Sequence, residues 1–240
     1  MISELTQLAI KAAIEASKDI LIIYQSDDFE IENKEDNSPL TKADKAAHKI
    51  ISSILQESKI PILSEEGKSI PYETRKYWNK LWIVDPIDGT KEFIKRNGEF
   101  TVNIALIENN KPVIGVVLAP ASGALYFSEK NIGAFKSIVN LDFINPENLL
   151  AEALPLPLNH KNQTFTVVAS RSHLSKETEA YVENLRTKHG EVKFISIGSS
   201  LKLCMVAEGK ANCYPRFAPT MEWDTAAGQA ICEAAGFQVI

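Results

Sequence analysis

The order of apolar and polar positions in the N-terminal half predicts helices first and strands afterwards. Apolar residues recur at intervals of three and four over residues 5–23, which indicates an amphipathic helix with its charges on the other face. A second helix with the same periodicity begins near Thr41. The polar segment between them, residues 27–39, predicts a loop or a short irregular strand pair. A short apolar run at residues 60–63 then predicts a strand that ends in polar residues.

A series of strands follows. Residues 82–90 begin as a continuous apolar run and end in polar residues. Residues 101–108 alternate in polarity, and after a short turn the chain returns over residues 112–118. Residues 124–128 and 134–136 continue the same pattern. This half therefore predicts two helices packed on a meandering antiparallel sheet.

The C-terminal half alternates strands with helices. We predict strands at residues 164–169, 192–197 and 211–214, and helices at residues 176–188, 199–208 and 224–235. Such alternation indicates an α/β layer with a covered sheet. An irregular segment with several prolines separates the halves, so we predict an α+β domain at residues 1–136 and an α/β domain at residues 137–240. Residues 237–240 predict the start of one more strand.

Composition narrows the class of protein. The chain has 240 residues, of which 45% are hydrophobic and 24% charged, as in an ordinary globular protein with a sizeable core. Its 31 acidic and 26 basic residues give a net charge of -5, which argues against general attraction to nucleic acid or to anionic membranes. A polyanionic substrate would therefore have to be held locally, by metal ions and a few well-placed cations.

The cysteine content and the first residues of the chain indicate the cellular compartment of the protein. Cys204, Cys213 and Cys232 form no C-x-x-C pair and no zinc-type spacing, which is typical of reduced thiols in a cytoplasmic protein. The first residues lack the basic and apolar regions of a signal peptide, and no segment is apolar enough to span a membrane. We expect a cytoplasmic protein. Peripheral association with the cytoplasmic face of the inner membrane stays open, as does the choice between monomer and homodimer.

The strongest chemical signal is Asp-Pro-Ile-Asp-Gly-Thr at residues 85–90, where a strand ends. Asp85 and Asp88 offer carboxylate oxygens to a hard divalent cation, and Mg²⁺ commonly binds a few carboxylates together with water and substrate phosphate. Gly89 permits close approach of the backbone to a bound group, and a helix beginning at Thr90 would direct its first amides at an anion. A turn whose aspartates only cap backbone amides is the structural alternative.

Three further acidic sites have both a structural and a functional interpretation. Glu65 and Glu66 end a strand, where they could be a solvated pair in a turn. Asp224 lies at the start of a helix and suits an N-cap. Asp44 follows Thr41 by three residues, as in a capping box. Taken singly, each site fits its structural interpretation well.

Together these motifs resemble the inositol monophosphatase superfamily of Mg²⁺-dependent, lithium-sensitive phosphatases. The resemblance rests on residues 85–90, on Glu-Glu at residues 65–66, and on Trp-Asp-x-Ala-Ala-Gly at residues 223–228. Longer runs at residues 88–103 and 36–44 are similar to the 3'(2'),5'-bisphosphate nucleotidases of the CysQ type. The resemblance covers essentially the whole chain. It implies an α/β fold, the layered αβαβα sandwich of the inositol monophosphatase and fructose-1,6-bisphosphatase type.

The resemblance also implies roles for single residues. The metal ligands would be Glu65, Asp85, Asp88, Asp224 and the backbone carbonyl of Ile87. Asp44 and Thr90 would form a hydrogen-bonded pair that orients and deprotonates the attacking water, with Glu66 in support. The amides of Gly89 and Thr90 would hold the phosphate being cleaved. Ionised carboxylates about 5 Å apart repel by about 3 kcal/mol per pair at an effective dielectric of about 20, and bound divalent cations remove that repulsion.

Weaker signals concern the rest of the substrate. Ser199, Ser200 and Lys202 lie where a helix follows a strand, so their side chains and amides could hold an anion. Arg216 could clamp the same group, and His173 lies near the end of another strand. In the nucleotidases that the chain resembles, comparable residues hold the second phosphate and the nucleoside. N-capping by Ser199 and simple solvation of Lys202 and His173 are the structural alternatives.

The resemblance implies a phosphoric monoester hydrolase of sulfur assimilation that converts adenosine 3',5'-bisphosphate to AMP and phosphate. Two or three Mg²⁺ ions and a metal-activated water would carry the reaction. Inositol monophosphatase activity and a catalytically silent metal-binding regulatory domain stay open as alternatives. Members of the superfamily usually continue for some tens of residues beyond the Trp-Asp helix, whereas this chain ends at Ile240.

Overall fold

The computed structural model describes residues 2–26, 28–34, 38–141, 151–158, 164–169 and 175–240. The helices are α1 (Glu4–Gln25), α2 (Lys42–Leu55), α3 (Tyr72–Arg75), α4 (Thr90–Ile94), α5 (Lys176–His189), α6 (Leu201–Glu208) and α7 (Glu222–Ala234). The strands are β1 (Glu32–Asn33), β2 (Pro39–Leu40), β3 (Ile62–Ser64), β4 (Lys80–Asp88), β5 (Thr101–Glu108), β6 (Lys111–Ala119), β7 (Ala124–Glu129), β8 (Gly133–Ile138), β9 (Leu154–Pro155), β10 (Phe165–Ala169) and β11 (Val192–Ser196).

Helices α1 and α2 cover one face of the main sheet. Helix α1 begins at Ser3, whose side chain accepts a hydrogen bond from the amide of Thr6. Its small and apolar residues, spaced by three and four, are buried against α2 and the sheet. Helix α2 begins with a capping box, in which Thr41 and Asp44 exchange side-chain and backbone hydrogen bonds. Both predicted helices are confirmed.

The main sheet has seven strands in the order β3-β4-β5-β6-β7-β8-β9. Strand β3 runs parallel to β4, and each later neighbour is antiparallel. Valine, isoleucine and leucine dominate β4, β5 and β6, and these strands are buried along almost their whole length because helices cover both faces. The predicted meander is confirmed. The polar segment before α2 forms the predicted short strand pair, β1 with β2.

Helix α7 packs on the opposite face of the main sheet, and two glycines permit its close approach. A Cβ atom at Gly115 in β6 would lie 2.3 Å from the carbonyl oxygen of Ala227. A Cβ atom at Gly228 would lie 2.3 Å from Cδ1 of Leu203 in α6. Helix α7 is therefore held between the sheet and α6, which fixes the position of Asp224 in its first turn.

A second sheet, formed by the parallel pair β10 and β11, lies beyond α6. Val167 of β10 packs with Val182 and Leu185 of α5. The order of layers is α1 with α2, the main sheet, α6 with α7, the second sheet, and α5, which confirms the α/β class and the αβαβα arrangement. Strand β9 pairs with β8, so elements from both predicted domains contribute to the main sheet. The division at residue 136 stays a prediction.

Two predicted strands are wrong. Residues 211–214 form only a single parallel bridge, from Cys213 to β10. The amide of Thr166 donates its hydrogen bond to Oδ1 of the Asn212 side chain. Pro215, which follows this segment, has no N–H with which to extend a strand ladder. Residues 237–240 pair with no strand in the described part of the chain.

The cysteines agree with the expectation of reduced thiols. All three cysteines are free thiols, with Cys204 and Cys232 buried and Cys213 half-buried. Among the described residues, no helix combines the length and apolar character that crossing a bilayer requires.

Candidate active site

A β-bulge places Asp85 and Asp88 on the same face of the main sheet. In the pairing of β4 with β5, Asp85 lies opposite Asn103 and Asp88 lies opposite Thr101. Three steps along β4 thus match two steps along β5, so β4 contains one extra residue. Because side chains alternate along a strand, a regular strand would direct these two aspartates to opposite faces. Pro86 lies within the bulge, a position where a strand tolerates proline.

Buried neighbours show which face the two aspartates share. Ile83 packs in the layer of α7, whereas Val84 packs in the layer of α1 and α2. Asp85 therefore faces α7, and the bulge turns Asp88 to that side while Ile87 packs toward α1 and α2. The amide of Ile87 donates to Oδ1 of Asp85 at 3.0 Å, which stabilises the bulged conformation.

Glu65 and Asp224 reach the same region from other elements. Glu65 follows β3, and its amide donates to the carbonyl oxygen of Val84 at 3.1 Å. Asp224 is the third residue of α7, and its Oδ2 accepts from Oγ1 of Thr220 at 2.7 Å and from the amide of Met221 at 3.1 Å. One oxygen of Asp224 thus completes the capping box of α7. The prediction that Asp224 is the N-cap residue is wrong, because the helix begins two residues earlier than predicted, at Glu222. The residue also acts electrostatically on Asp85.

The four carboxylates act on one another electrostatically. Burial raises the pKa of Asp85 well above its usual range, and the charges of Glu65, Asp88 and Asp224 raise it further. Burial also raises the pKa of Asp88. Glu65, Asp88 and Asp224 therefore lie within electrostatic range of Asp85, and this all-oxygen donor set has the chemistry that suits a hard divalent cation.

The carboxylates do not have the spacing of a closed metal site. In the described ranges, no group of three or more histidine, cysteine, aspartate or glutamate side chains has the geometry to hold an ion. Electrostatic interaction between carboxylates extends over several ångströms, whereas a ligand oxygen lies about 2.1 Å from Mg²⁺. The neighbouring acids can therefore raise the pKa of Asp85 without having the spacing of a metal site. Glu65 and Asp224 each bind a protein partner through one oxygen.

Lys34 is a site residue that sequence patterns did not indicate. Its Nζ lies 2.7 Å from Oε1 of Glu65 and also hydrogen-bonds Oε1 of Glu66. Burial lowers the pKa of Lys34, but the two hydrogen bonds outweigh burial and raise that pKa above its ordinary value. Burial raises the pKa of Glu66, although Lys34 opposes this. Lys34 is therefore the counter-cation of this edge of the acidic cluster.

Thr90 and Asp44 lie in contact although 46 positions separate them. Oγ1 of Thr90 is 3.3 Å from Oδ1 of Asp44 and 3.3 Å from the carbonyl oxygen of Ile87, so its one hydrogen can serve either acceptor. The other oxygen of Asp44 accepts from the amide and the hydroxyl of Thr41, at 2.8 and 2.6 Å. Burial raises the pKa of Asp44 despite these bonds. The predicted hydrogen bond is present, and the role of this pair toward water stays a prediction.

A cavity of about 210 Å³ opens beside Asp88 and Gly89. Lys202, Tyr214 and Arg216 also line it. Nζ of Lys202 lies 5.5 Å from the ring centre of Tyr214, and Nη1 of Arg216 lies 3.3 Å from the Tyr214 hydroxyl. Burial lowers the pKa of Lys202, although the charge of Asp88 opposes this. Two cations thus flank Tyr214 in a cavity that ends at the acidic cluster.

The turn before α6 has a constrained backbone. Ser199 has a φ angle of 50°, in the left-handed region that residues other than glycine rarely adopt. A Cβ atom at Gly198 would lie 2.9 Å from the carbonyl oxygen of Glu99. Helix α6 begins at Leu201, two residues later than predicted, and Ser200 rather than Ser199 is its N-cap residue. The predicted N-cap position of Ser199 is therefore wrong by one residue, because the helix begins later than predicted, although Oγ of Ser199 accepts a hydrogen bond from the amide of Leu201 at 3.4 Å.

Comparison with known proteins identifies the family. All residues of the chain, 1–240, match the model of the inositol monophosphatase family. The chain belongs to the inositol monophosphatase family. Members of this family are generally metal-dependent phosphatases, which agrees with an acidic cluster beside a cationic cavity.

Relatives within the inositol monophosphatase family cover most of the chain. The 3'(2'),5'-bisphosphate nucleotidase CysQ of Salmonella typhimurium is 46% identical over 242 residues, which cover 100% of this chain and 89% of that protein. The protein of the same name from Escherichia coli K12 is 44% identical with the same coverage. The crystal structure of CysQ from Bacteroides thetaiotaomicron has a TM-score of 0.87 and 53% identity, covering 96% of this chain and 86% of that one. SuhB from Bartonella henselae, at 24% identity and a TM-score of 0.75, shares the fold.

The structure brings together most of the site residues that the resemblance to the inositol monophosphatase family predicted. His173 and part of the 36–44 motif lie outside the described residues. Two residues that the sequence analysis left out also take part, Lys34 and Asn103. Asn103 did carry a signal, since it is a polar residue within the apolar strand β5. No sequence pattern indicated Lys34, because its contact with Glu65 joins segments that are 31 positions apart in the chain.

Proposed function

We propose that the chain is a Mg²⁺-dependent 3'(2'),5'-bisphosphate nucleotidase that hydrolyses adenosine 3',5'-bisphosphate to AMP and phosphate. The observation that carries the proposal is that two cations, Lys202 and Arg216, line the same cavity as Asp88 and Asp224. A substrate with one phosphate at the acidic cluster and a second at these cations matches that arrangement. The identity to the CysQ proteins named above supports the same substrate class.

Glu65, Asp85, Asp88, Asp224 and the carbonyl oxygen of Ile87 would hold two or three Mg²⁺ ions. Bound Mg²⁺ supplies activation of a water molecule and neutralisation of the departing ribose oxygen. In the absence of metal, burial raises the pKa values of Asp85 and Asp88, so metal binding releases any protons that these two acids carry. The carboxylates thus supply charge and position, and no covalent phosphoenzyme is required.

Thr90 and Asp44 would handle the proton of the attacking water. When Oγ1 of Thr90 donates its hydrogen to Oδ1 of Asp44, its lone pairs are available to accept a hydrogen from water. The water oxygen forms a bond to phosphorus as the bond from phosphorus to the ribose 3'-oxygen breaks, in line. The water proton passes to the Thr90 and Asp44 pair, and the ribose oxygen leaves with a proton from solvent. The raised pKa of Asp44 suits a proton acceptor.

Backbone amides would hold the phosphate being cleaved. Gly89 has a φ angle of 93°, and a Cβ atom there would lie 3.1 Å from the carbonyl oxygen of Glu99 and 3.4 Å from Cβ of Ser199. Glycine therefore permits the chain to turn sharply from β4 into α4 beside the cavity, where the amides of Gly89 and Thr90 would bind the phosphate.

The second phosphate would lie against Lys202, Arg216 and Ser199. Lys202 is only 5% exposed and its ammonium donates to the carbonyl oxygen of Ser199, so the charge is held in one place. A buried, fixed cation contributes more to anion binding than a solvated one, since water does not screen it. This second anion site favours a bisphosphate over inositol monophosphate.

A substrate panel tests the proposal. Phosphate release would be measured with and without Mg²⁺ from adenosine 3',5'-bisphosphate, adenosine 3'-monophosphate and inositol 1-phosphate. We expect Mg²⁺-dependent release with the highest kcat/KM for the bisphosphate. A higher kcat/KM for inositol 1-phosphate would decide for inositol monophosphatase. Release from none of the three would decide for a catalytically silent metal-binding domain.

We also place the protein in the cytoplasm, in sulfur assimilation, because that setting suits free thiols and a bisphosphate nucleotide substrate. Lithium sensitivity belongs to the same proposal.

A further inference from the structure

The hydroxyl group of Ser200 joins two parts of the acidic cluster. Its Oγ lies 2.8 Å from Oδ2 of Asp88 and 3.0 Å from the backbone carbonyl oxygen of Asp224. It also accepts a hydrogen bond from Nδ2 of Asn103 at 2.8 Å. Ser200 is 3% exposed and Asn103 is 1% exposed, so solvent does not compete for these bonds.

The Ser200 hydroxyl does not form the hydrogen bond that an ordinary N-cap serine forms. A serine at the N-cap of a helix usually accepts a hydrogen bond from an amide of the first turn. Ser200 makes no such side-chain bond, and its hydroxyl points to Asp88 and Asp224 instead. The hydroxyl has one hydrogen for these two acceptors. The side chain therefore stabilises the acidic cluster rather than the start of α6.

Asn103 fixes the direction of this hydroxyl. Its Nδ2 donates to Ser200 and also lies 3.4 Å from Oδ2 of Asp88. Its Oδ1 is buried and has no hydrogen-bond partner among the described residues. The orientation of the amide is thus set by its nitrogen, which leaves the Ser200 hydrogen directed away from Asn103 and toward the other two residues.

The same turn carries the second anion site. Ser199 precedes Ser200, and Lys202 follows it by two residues. Nζ of Lys202 donates hydrogen bonds to the carbonyl oxygens of Ser199 and Ile197. The constrained backbone at Ser199 makes the turn a single unit. A phosphate held by Lys202 and Ser199 would therefore also fix the position of Ser200, and with it the carboxylate of Asp88.

We propose that Ser200 is a positioning residue that couples binding of the second phosphate to binding of metal ions at Asp88. This inference rests on the proposed function. Because coupling between two sites is reciprocal, the nucleotide tightens metal binding by the same factor by which metal tightens nucleotide binding. A serine that only stabilised the fold would affect the melting temperature and leave this factor unchanged.

Manganese binding tests the inference without turnover. The dissociation constant of Mn²⁺ would be measured from the electron paramagnetic resonance signal of the free ion, alone, with saturating 5'-AMP, and with saturating adenosine. 5'-AMP carries the phosphate expected at Lys202 and has no 3'-phosphate to lose, and adenosine carries no phosphate. We expect 5'-AMP to tighten Mn²⁺ binding by about fivefold or more in the natural protein, and adenosine to have no effect.

Three variants complete the test. In Ser200→Ala the effect of 5'-AMP on the Mn²⁺ dissociation constant is expected to disappear. Ser200→Cys, whose thiol fills the same space and is a weak donor, should behave in the same way and serves if the alanine variant does not fold. Ser175→Ala is the matched control, because Ser175 is an ordinary N-cap of α5. It should keep the full coupling.

The outcomes separate the inference from the proposed function. Full coupling in both Ser200 variants, or no coupling in the natural protein, would overturn the inference even if the natural protein releases phosphate from adenosine 3',5'-bisphosphate. Failure of that release with all three substrates of the panel would overturn the proposed function itself. Loss of coupling in the Ser175→Ala control would also overturn the inference, since the effect would then follow from general destabilisation.

Discussion

The ammonium nitrogen of Lys34 lies 2.7 Å from Oε1 of Glu65, an oxygen that we expect to bind metal, and it also hydrogen-bonds Glu66. An ammonium group and a divalent cation cannot both take the same carboxylate oxygen. Lys34 is thus an internal competitor for one part of the metal site, supplied by the segment between β1 and β2.

Lys34→Gln is therefore expected to tighten Mn²⁺ binding by about fivefold, since the variant removes a cation that repels the metal from about 5 Å or less. The Mn²⁺ dissociation constant, measured as above, checks this. Lys45→Gln is the matched control because Lys45 pairs with exposed Glu32 at 2.7 Å and makes the same change in net charge. Weaker Mn²⁺ binding in Lys34→Gln than in the control would show that Lys34 assists the metal rather than competing with it.

Asp85→Asn should raise the stability of the metal-free protein and remove the stabilisation that Mg²⁺ provides. The pKa of Asp85 is raised in the folded protein, so the folded state holds more protons than the unfolded state once the pH exceeds the ordinary value of 3.8. Without metal, the free energy of unfolding should therefore fall as pH rises through the range between these two pKa values. The variant removes this dependence and should melt a few °C higher in EDTA at pH 8.

The same variant should lose the stabilisation that Mg²⁺ gives the natural protein, and its activity should fall by more than about 100-fold, since even residues that only support a metal ligand cost about 10- to 100-fold. Melting temperatures with EDTA and with Mg²⁺, together with kcat/KM, check both expectations. An unchanged rise in melting temperature on adding Mg²⁺ would refute the assignment of Asp85 as a ligand.

Thr90→Ala should lower kcat by about 10²- to 10⁴-fold, because it removes the hydroxyl that would pass a proton to Asp44. Thr90→Ser keeps the hydroxyl and is the control, with most of kcat expected to remain. Steady-state kinetics with adenosine 3',5'-bisphosphate measures both. Equal losses in the two variants would mean that the methyl group, and hence packing of α4, matters more than the hydroxyl.

Lys202→Met should affect only substrates with a second phosphate. Loss of one charged hydrogen bond of about 2 kcal/mol corresponds to a decrease of about 30-fold in kcat/KM for adenosine 3',5'-bisphosphate. The value for adenosine 3'-monophosphate should change little. Lys193→Met, on the exposed part of β11, controls for loss of a positive charge. A parallel decrease for both substrates would place Lys202 at the reacting phosphate instead.

A buried ion cluster at Glu208 should control acid stability. Glu208 is 1% exposed, and its carboxylate binds Tyr126 and, at 2.6 Å each, Lys136 and Lys210. Burial raises its pKa, but these partners outweigh burial and lower that pKa below the ordinary 4.5. The carboxylate therefore stabilises the fold above the unfolded-state pKa, and this contribution is lost as pH falls through the folded-state pKa.

Glu208→Gln should cost about 3 kcal/mol at pH 7, the lower end expected for a broken buried ion pair because Lys210 is 43% exposed. The difference from the natural protein should shrink as pH falls below about 4.5. Urea unfolding at several pH values measures it. A difference that stays constant from pH 7 to the acid range would show that the charge of Glu208 is not what stabilises the fold.

Sequence reasoning identified the site residues whose positions follow from local sequence patterns. Asp85 and Asp88 at the end of an apolar strand, Glu65 after a short strand and Asp224 at a helix start are all local patterns, and the structure brings these four acids together. The capping box predicted a structural role for Asp44, and the structure shows that one oxygen of the residue does this while the other contacts Thr90.

Features that depend on pairing between distant segments could not be predicted. The register of β4 against β5 decides that the aspartates share a face, and no periodicity in β4 alone reveals the extra residue. The contact of Lys34 with Glu65 joins two segments that are 31 positions apart in the chain. The partners of Ser200 come from three different elements, so its pattern favoured a phosphate contact or a helix cap instead.

The bulge in β4 gives this site a particular vulnerability. If the chain after Asp85 slipped by one residue and paired with β5 without the bulge, regular alternation would send the Asp88 carboxylate into the apolar layer of α1 and α2. Every ligand type would still be encoded, yet the acids could no longer meet. A change in β4 that abolished the bulge would therefore disable the site without replacing any of its ligands.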